Sequence, residues 1–173
     1  MTLANKITIL RIILIPILVI GLLMGVPVWP LVLFILSMIT DVLDGLAARL
    51  KGERTQLGTF LDPLADKLLL IAIYLTFTYL HKIPLWVFVV VFSRDLMIVL
   101  GWSIIYILMK SSAIIPRLLG KITTFAQMAT ILCVMIPAPA VISDIVFWSM
   151  ITLTVVSTID YIAIGARRLG QFG

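Results

Sequence analysis

Apolar residues run through this chain in long stretches, and its polar positions fall in short clusters between them. Those stretches and their breakers predict helices near residues 7–24, 30–50, 57–80, 84–109, 120–138 and 141–166. Each approaches or exceeds the roughly 20 residues that span a bilayer core of about 30 Å. Pro27, Pro30, Pro84, Pro116, Pro137 and Pro139 stand at or near the junctions, as helix breakers should, while Pro16 and Pro63 lie inside predicted helices. The first stretch has no small-residue cleavage site and five more follow it, so it reads as a span rather than a secretory signal. With no internal repeat, low-complexity tract or soluble linker, the expectation is a single domain over residues 1–173: all-α, polytopic, with six transmembrane helices.

Composition agrees with that pattern. Of 173 residues, 62% are hydrophobic and 12% charged, against roughly 25% charged in soluble domains, and the mean hydropathy is +1.24. A soluble globular protein is excluded, and little chain is left for a separate extramembrane domain. The net charge of +5 would suggest nucleic acid in a soluble protein. Here it reads as basic loops against anionic headgroups, and no nucleic-acid partner is expected. A lone Cys133 cannot make a disulfide framework or a cysteine metal site.

The basic residues orient the spans. With six spans and the N-terminus inside, Lys6, Arg11, Arg49, Lys51, Arg54, Lys110, Arg117, Lys121, Arg167 and Arg168 share one side, and Lys82 alone holds the other. Lys67 and Arg94 fall within spans. The asymmetry of 10 to 1 puts both termini in the cytoplasm, and the expected location is the cell (inner) membrane.

Charges within spans are costly enough to mark function, and four of the eight acidic residues form one pattern. Asp41 and Asp44 lie in T-D-V-L-D-G-L-A-A-R, and Asp62 and Asp66 in L-G-T-F-L-D-P-L-A-D-K. The first pair falls toward the C-terminal end of the second span and the second toward the N-terminal end of the third, both on the cytoplasmic side. Spacings of three and four residues put each pair on one helix face. Gly45, Ala48 and Gly58 follow the same faces, leaving a groove of missing side chains beside the carboxylates. A tight turn at residues 51–56 would turn the two pairs toward each other, and four carboxylates at short range require cations. An all-oxygen set favours hard divalent ions, Mg²⁺ first, with Mn²⁺ or Ca²⁺ as alternatives. Structural readings stand beside this one. Asp62 before Pro63 suits a helix N-cap, and Asp41 or Asp44 suits an ion pair with Arg49 or Lys67.

Asp41, Asp44, Gly45, Ala48, Arg49, Gly58, Asp62 and Asp66 match, position by position, D-x2-D-G-x2-A-R-x8-G-x3-D-x3-D, and in this the chain resembles the CDP-alcohol phosphotransferases. The resemblance covers most of the chain, since members are likewise six-helix membrane proteins. The N-K-I-T-I-L-R stretch, with Asn5, Thr8 and Arg11, is similar to that of bacterial phosphatidylglycerophosphate synthases. The resemblance implies transfer of a phosphatidyl group from CDP-diacylglycerol to an alcohol, glycerol 3-phosphate first, with release of CMP. It implies that Asp41, Asp44 and Asp62 bind one or two divalent ions, two being expected, and that Asp66 completes the metal site or acts as the base. Gly45, Ala48 and Gly58 would admit the cytidine and its ribose, with Arg49 near the phosphates. A homodimer is likewise expected by resemblance.

A phosphorylated acceptor needs further cations, and Arg94, Arg117 and Lys121 are the candidates. Arg94 also suits a buried ion pair with Asp95 or Asp160. Lys121 lies in G-K-I-T-T-F-A-Q, which looks like the G-K-x-K-T-x-x-Q stretch of phosphatidylglycerophosphate synthases with Thr123 in place of the second lysine. That departure, with Arg-Asp at 94–95, also resembles the CMP-forming cardiolipin synthases, whose acceptor is phosphatidylglycerol. An intramembrane prenyltransferase would need more helices, and in a channel or transporter the carboxylates would lie nearer the midplane. His81 and Lys82 read as an external turn, the Trp and most Tyr residues as interfacial anchors, the Met residues as lipid-facing or core packing, Asp144 as the cap of the sixth helix, and Asp160 as a helix-to-helix contact.

Overall fold

The structure is a computed structural model that describes the backbone of residues 3–26, 28–51, 56–109, 118–136 and 138–169, and the side chains of 9–26, 28–40, 65–100, 118–136 and 138–164. Among these residues it is all helix: α1 (Leu3–Leu23), α2 (Val28–Lys51), α3 (Gln56–Tyr79), α4 (Leu85–Met109), α5 (Leu118–Met135) and α6 (Ala140–Leu169). Each coincides with a predicted element. α1 continues through Pro16, and α3 starts at Gln56 and runs through Pro63, so Asp62 does not cap it. The helices gather into two compact units, Met1–Lys82 and Ile83–Gly173.

In the first unit α1 packs against both α2 and α3. The buried face of α1 carries Arg11, Leu18 and Leu22, that of α2 carries Phe34 and Ser37, and α3 contributes Leu69, Leu70, Ile73, Tyr74 and Phe77. These spacings of three, four and seven put each set on one stripe. The opposite face of α1, with Leu10, Ile13, Ile17 and Ile20, is exposed and equally apolar.

Two tight helix ends shape the connections. Val26 N–H donates to the Gly21 carbonyl at 3.1 Å and Gly25 N–H to that of Leu22 at 3.2 Å, with Gly25 at φ 69°. This pairing closes a helix with a left-handed residue that favours glycine. His81 does the same at the end of α3 with φ 55°, and Lys82, which donates to the Phe77 carbonyl, lays its ammonium 5.7 Å from the Phe77 ring. The expected turn at 81–82 is exposed as read, and it closes α3 as a tight helix end.

The α1–α2 turn depends on a missing side chain. A Cβ on Gly21 would overlap the Trp29 ring and fall 2.8 Å from Pro30 Cγ. Gly21→Ala is expected to cost about 1–3 kcal/mol through overpacking, read as an earlier thermal unfolding transition in detergent. Unchanged unfolding would mean that Trp29 swings away freely.

In the second unit α6 packs against both α4 and α5. Trp86 on α4 touches Phe147 and Trp148 on α6, and Arg94 further along α4 reaches Ser157 further along α6, so these two helices run parallel. Thr123 near the start of α5 donates to the Leu153 carbonyl at 3.3 Å, while Arg94 Nη2 reaches the Gly120 carbonyl. As α5 advances, its partners on α6 recede, so α5 is antiparallel to α6, as its short connection requires.

The interior of this unit mixes apolar residues, Val87, Val91, Ile131 and Met150 among them, with an unusual number of polar ones. Arg94, Asp95, Thr123, Gln127, Thr130, Thr154 and Ser157 are buried, whereas Val141, Ile142, Ile145, Val155, Ile159 and Ile162 are exposed. Thr123, Thr130 and Thr154 each donate to the carbonyl four residues earlier, at 2.8, 2.9 and 2.7 Å, which satisfies the hydroxyl within its own helix. Polar residues inside and apolar residues outside suit a lipid solvent. Among the described residues, Leu118–Met135 and Ala140–Ile164 are long and apolar enough to cross a membrane.

Asp144 does not cap α6. The helix begins at Ala140, and the Pro139 carbonyl accepts from the N–H groups of Ile142 and Ser143 at 3.0 and 3.1 Å. Asp144 therefore sits one turn inside, exposed.

Candidate active site

Asp66 lies on α3, one turn after Asp62, and its carboxylate reaches α1. Arg11 Nη1 donates to Asp66 Oδ1 at 2.8 Å across 55 residues of sequence. The Arg11 side chain is 4% exposed and that of Asp66 34%. The arginine is thus inside the unit, while the carboxylate stands at its edge with surface left for another partner.

Asp41, Asp44, Gly45, Ala48 and Arg49 lie on the second half of α2, and Gly58 and Asp62 on the first two turns of α3, all on helical backbone. Their side chains lie outside the described residues. Asp41 stands ten residues before the last residue of α2 and Asp66 ten after the first of α3, about 15 Å of helix in each case. The carboxylate pairs therefore flank the α2–α3 connection at matching distances. Among the described residues, no three His, Cys, Asp or Glu side chains gather as a metal site, and three of the four motif aspartates are outside that set.

In the second unit Arg94 is the centre of a buried network. Its Nη1 donates to Asp95 Oδ1 at 2.6 Å, both side chains being 3% exposed. Its Nη2 donates to Ser157 Oγ at 3.2 Å and reaches the Gly120 carbonyl at 3.4 Å, and the guanidinium lies 6.0 Å from the Tyr161 ring centroid. A Cβ on Gly120 would stand 3.1 Å from Tyr161 Oη and 3.4 Å from Arg94 Nη2. Glycine there lets α5 approach closely. Of the two carboxylates considered for Arg94, Asp95 is thus the one that pairs with it. Lys121, next to Gly120, is exposed, and Arg117 lies outside the described residues.

The comparisons with known proteins agree with one another. A family model described as CDP-alcohol phosphatidyltransferase matches residues 1–157. The chain belongs to the CDP-alcohol phosphatidyltransferase family. It is similar to a probable phosphatidylglycerophosphate synthase of Mycobacterium tuberculosis, 32% identical over 180 residues that take in 97% of this chain and 83% of the relative. It is 33% identical to a CDP-diacylglycerol--glycerol-3-phosphate 3-phosphatidyltransferase of Bacillus subtilis, with 92% of each chain covered. A probable CMP-forming cardiolipin synthase of Drosophila melanogaster is 33% identical over 147 residues, 76% of this chain and 46% of that protein.

This family member is a transferase of phospholipid biosynthesis, as the resemblance implied. Arg11, named in the synthase-like N-terminal stretch, was not matched with Asp66 by the sequence. It was counted with the cytoplasmic loop charges although it falls within the first apolar stretch, where a cation needs a partner. That burial cost was the available signal.

Proposed function

We propose that this chain is an integral membrane enzyme that transfers the phosphatidyl group of CDP-diacylglycerol to glycerol 3-phosphate, forming phosphatidylglycerophosphate and CMP. What carries the reading is the family's eight-residue motif on α2 and α3, joined to 33% identity with a relative named for this reaction over 92% of both chains. The acceptor hydroxyl attacks the phosphorus bearing the diacylglycerol. The bond to the bridging oxygen breaks, and CMP leaves with its electron pair. Asp66 accepts the hydroxyl proton. Asp41, Asp44 and Asp62, with Asp66, would hold one or two Mg²⁺ ions, which when bound neutralise charge on the leaving diphosphate oxygen. Gly45, Ala48 and Gly58 leave space for the cytidine, Arg49 lies near the phosphates, and Arg94, Arg117 and Lys121 supply positive charge for the acceptor phosphate.

The proposal includes six spans, both termini and the site on the cytoplasmic side of the inner membrane, and a homodimer. The alternating direction of α4, α5 and α6, their buried polar residues and the 10 to 1 distribution of basic residues support the topology.

A second reading, CMP-forming cardiolipin synthase, is favoured by one position. Thr123 stands where the synthase-like stretch has its second lysine, and it is fully buried with its hydroxyl bonded to helix carbonyls. Purified protein in detergent, given CDP-diacylglycerol, Mg²⁺ and either glycerol 3-phosphate or phosphatidylglycerol, separates the two. We expect CMP release and a phosphatidylglycerophosphate mass with the first acceptor, and loss of both on chelation with recovery on adding Mg²⁺. Release with phosphatidylglycerol alone would select the second reading. No CMP with any alcohol would overturn both.

A further inference from the structure

We infer that Arg11 is a positioning residue of the reaction, holding the Asp66 carboxylate in the orientation in which it takes the acceptor proton. The inference rests on the proposed role of Asp66. Arg11 is a cation within the apolar stretch Ile9–Leu23 of α1, and it is buried on the face that packs against α3. Such a placement is expensive in an apolar setting and is kept where the charge has work at a site. Its guanidinium meets Asp66 Oδ1 at 2.8 Å, and this carboxylate belongs to the family's motif.

The geometry divides the carboxylate. Oδ1 is held from inside the unit by Arg11, while the side chain as a whole remains 34% exposed. One oxygen is thereby tied to α1, while the side chain keeps part of its surface open. A planar guanidinium fixes the direction of the carboxylate as well as its charge environment, which a flexible ammonium does less well. The pair also joins two helices 55 residues apart, so α1 becomes part of the catalytic arrangement although none of the eight motif positions lies on it. The role assigned to Arg11 is exerted through its contact with Asp66.

The test uses the full chain in detergent with CDP-diacylglycerol, glycerol 3-phosphate and Mg²⁺. Arg11→Met removes charge and hydrogen bonds at similar length. We expect its kcat to fall about 100-fold, as misplacement of a reacting group does, with the KM for CDP-diacylglycerol and the Kd for CDP, by titration calorimetry, within about threefold of the parent. Arg11→Lys is expected to recover about tenfold of the loss, with its melting temperature serving as the fold control. If Arg11→Met does not yield folded protein, Arg11→Gln is judged by the same criteria. Turnover within about threefold of the parent in the neutral variant overturns the inference. A loss that Arg11→Lys does not recover, or that is matched by loss of CDP binding, also overturns it, because a merely structural arginine behaves so. A parent protein that releases no CMP sinks the underlying reading instead. An active parent with an inactive Asp66→Asn and an unaffected Arg11→Met sinks the role of Arg11 alone.

Discussion

Asp66→Asn is expected to remove turnover by about 10³-fold, within the usual range for loss of a general base, while leaving the helices in place. Asparagine has nearly the volume of aspartate, and its amide oxygen can still accept the Arg11 hydrogen bond that joins α3 to α1. What it lacks is basicity, since an amide does not take the proton of an attacking hydroxyl. The measurement is CMP release beside CDP binding by calorimetry on the same preparation. Lost turnover with CDP affinity within about threefold of the parent assigns Asp66 to proton transfer. Loss of both would make Asp66 chiefly a metal ligand, and retained turnover would remove it from the chemistry.

The sequence was informative about this molecule where chemistry repeats along a helix. Six apolar stretches became six helices among the described residues, because a bilayer-length run with punctuating prolines leaves few alternatives. The aspartate pairs were visible for a similar reason, since spacings of three and four translate directly into a helix face. What stayed hidden depends on contacts between distant residues. Arg11 and Asp66 are 55 positions apart, and no periodicity within α1 announces the pair. The choice of Asp95 over Asp160 as the partner of Arg94 depends on side-chain placement in the buried network. Asp144 was misplaced because helix capping turns on a single backbone register, and Pro139 opens α6 with its carbonyl one turn earlier.

Breaking the Arg94–Asp95 pair is the second large effect expected. With both side chains 3% exposed and 2.6 Å apart, Asp95→Asn leaves the Arg94 cation in the interior without its counter-charge. Removing one partner of a buried pair typically costs about 3–5 kcal/mol, which for a domain of this size lowers the melting temperature by about 10 °C. Ser157 Oγ and the Gly120 carbonyl still accept from Arg94, but neutral oxygens compensate a charge only in part. The double variant Arg94→Met/Asp95→Leu removes both charges and is expected to melt within a few degrees of the parent, because an apolar pair needs no counter-ion. Activity then separates the two roles of Arg94. If it binds the acceptor phosphate, the stable double variant keeps a near-parent KM for CDP-diacylglycerol while its KM for glycerol 3-phosphate rises by about tenfold or more. Equal changes in both constants would make the pair a packing device for α4, α5 and α6. The acceptor phosphate would then depend on Arg117 and Lys121.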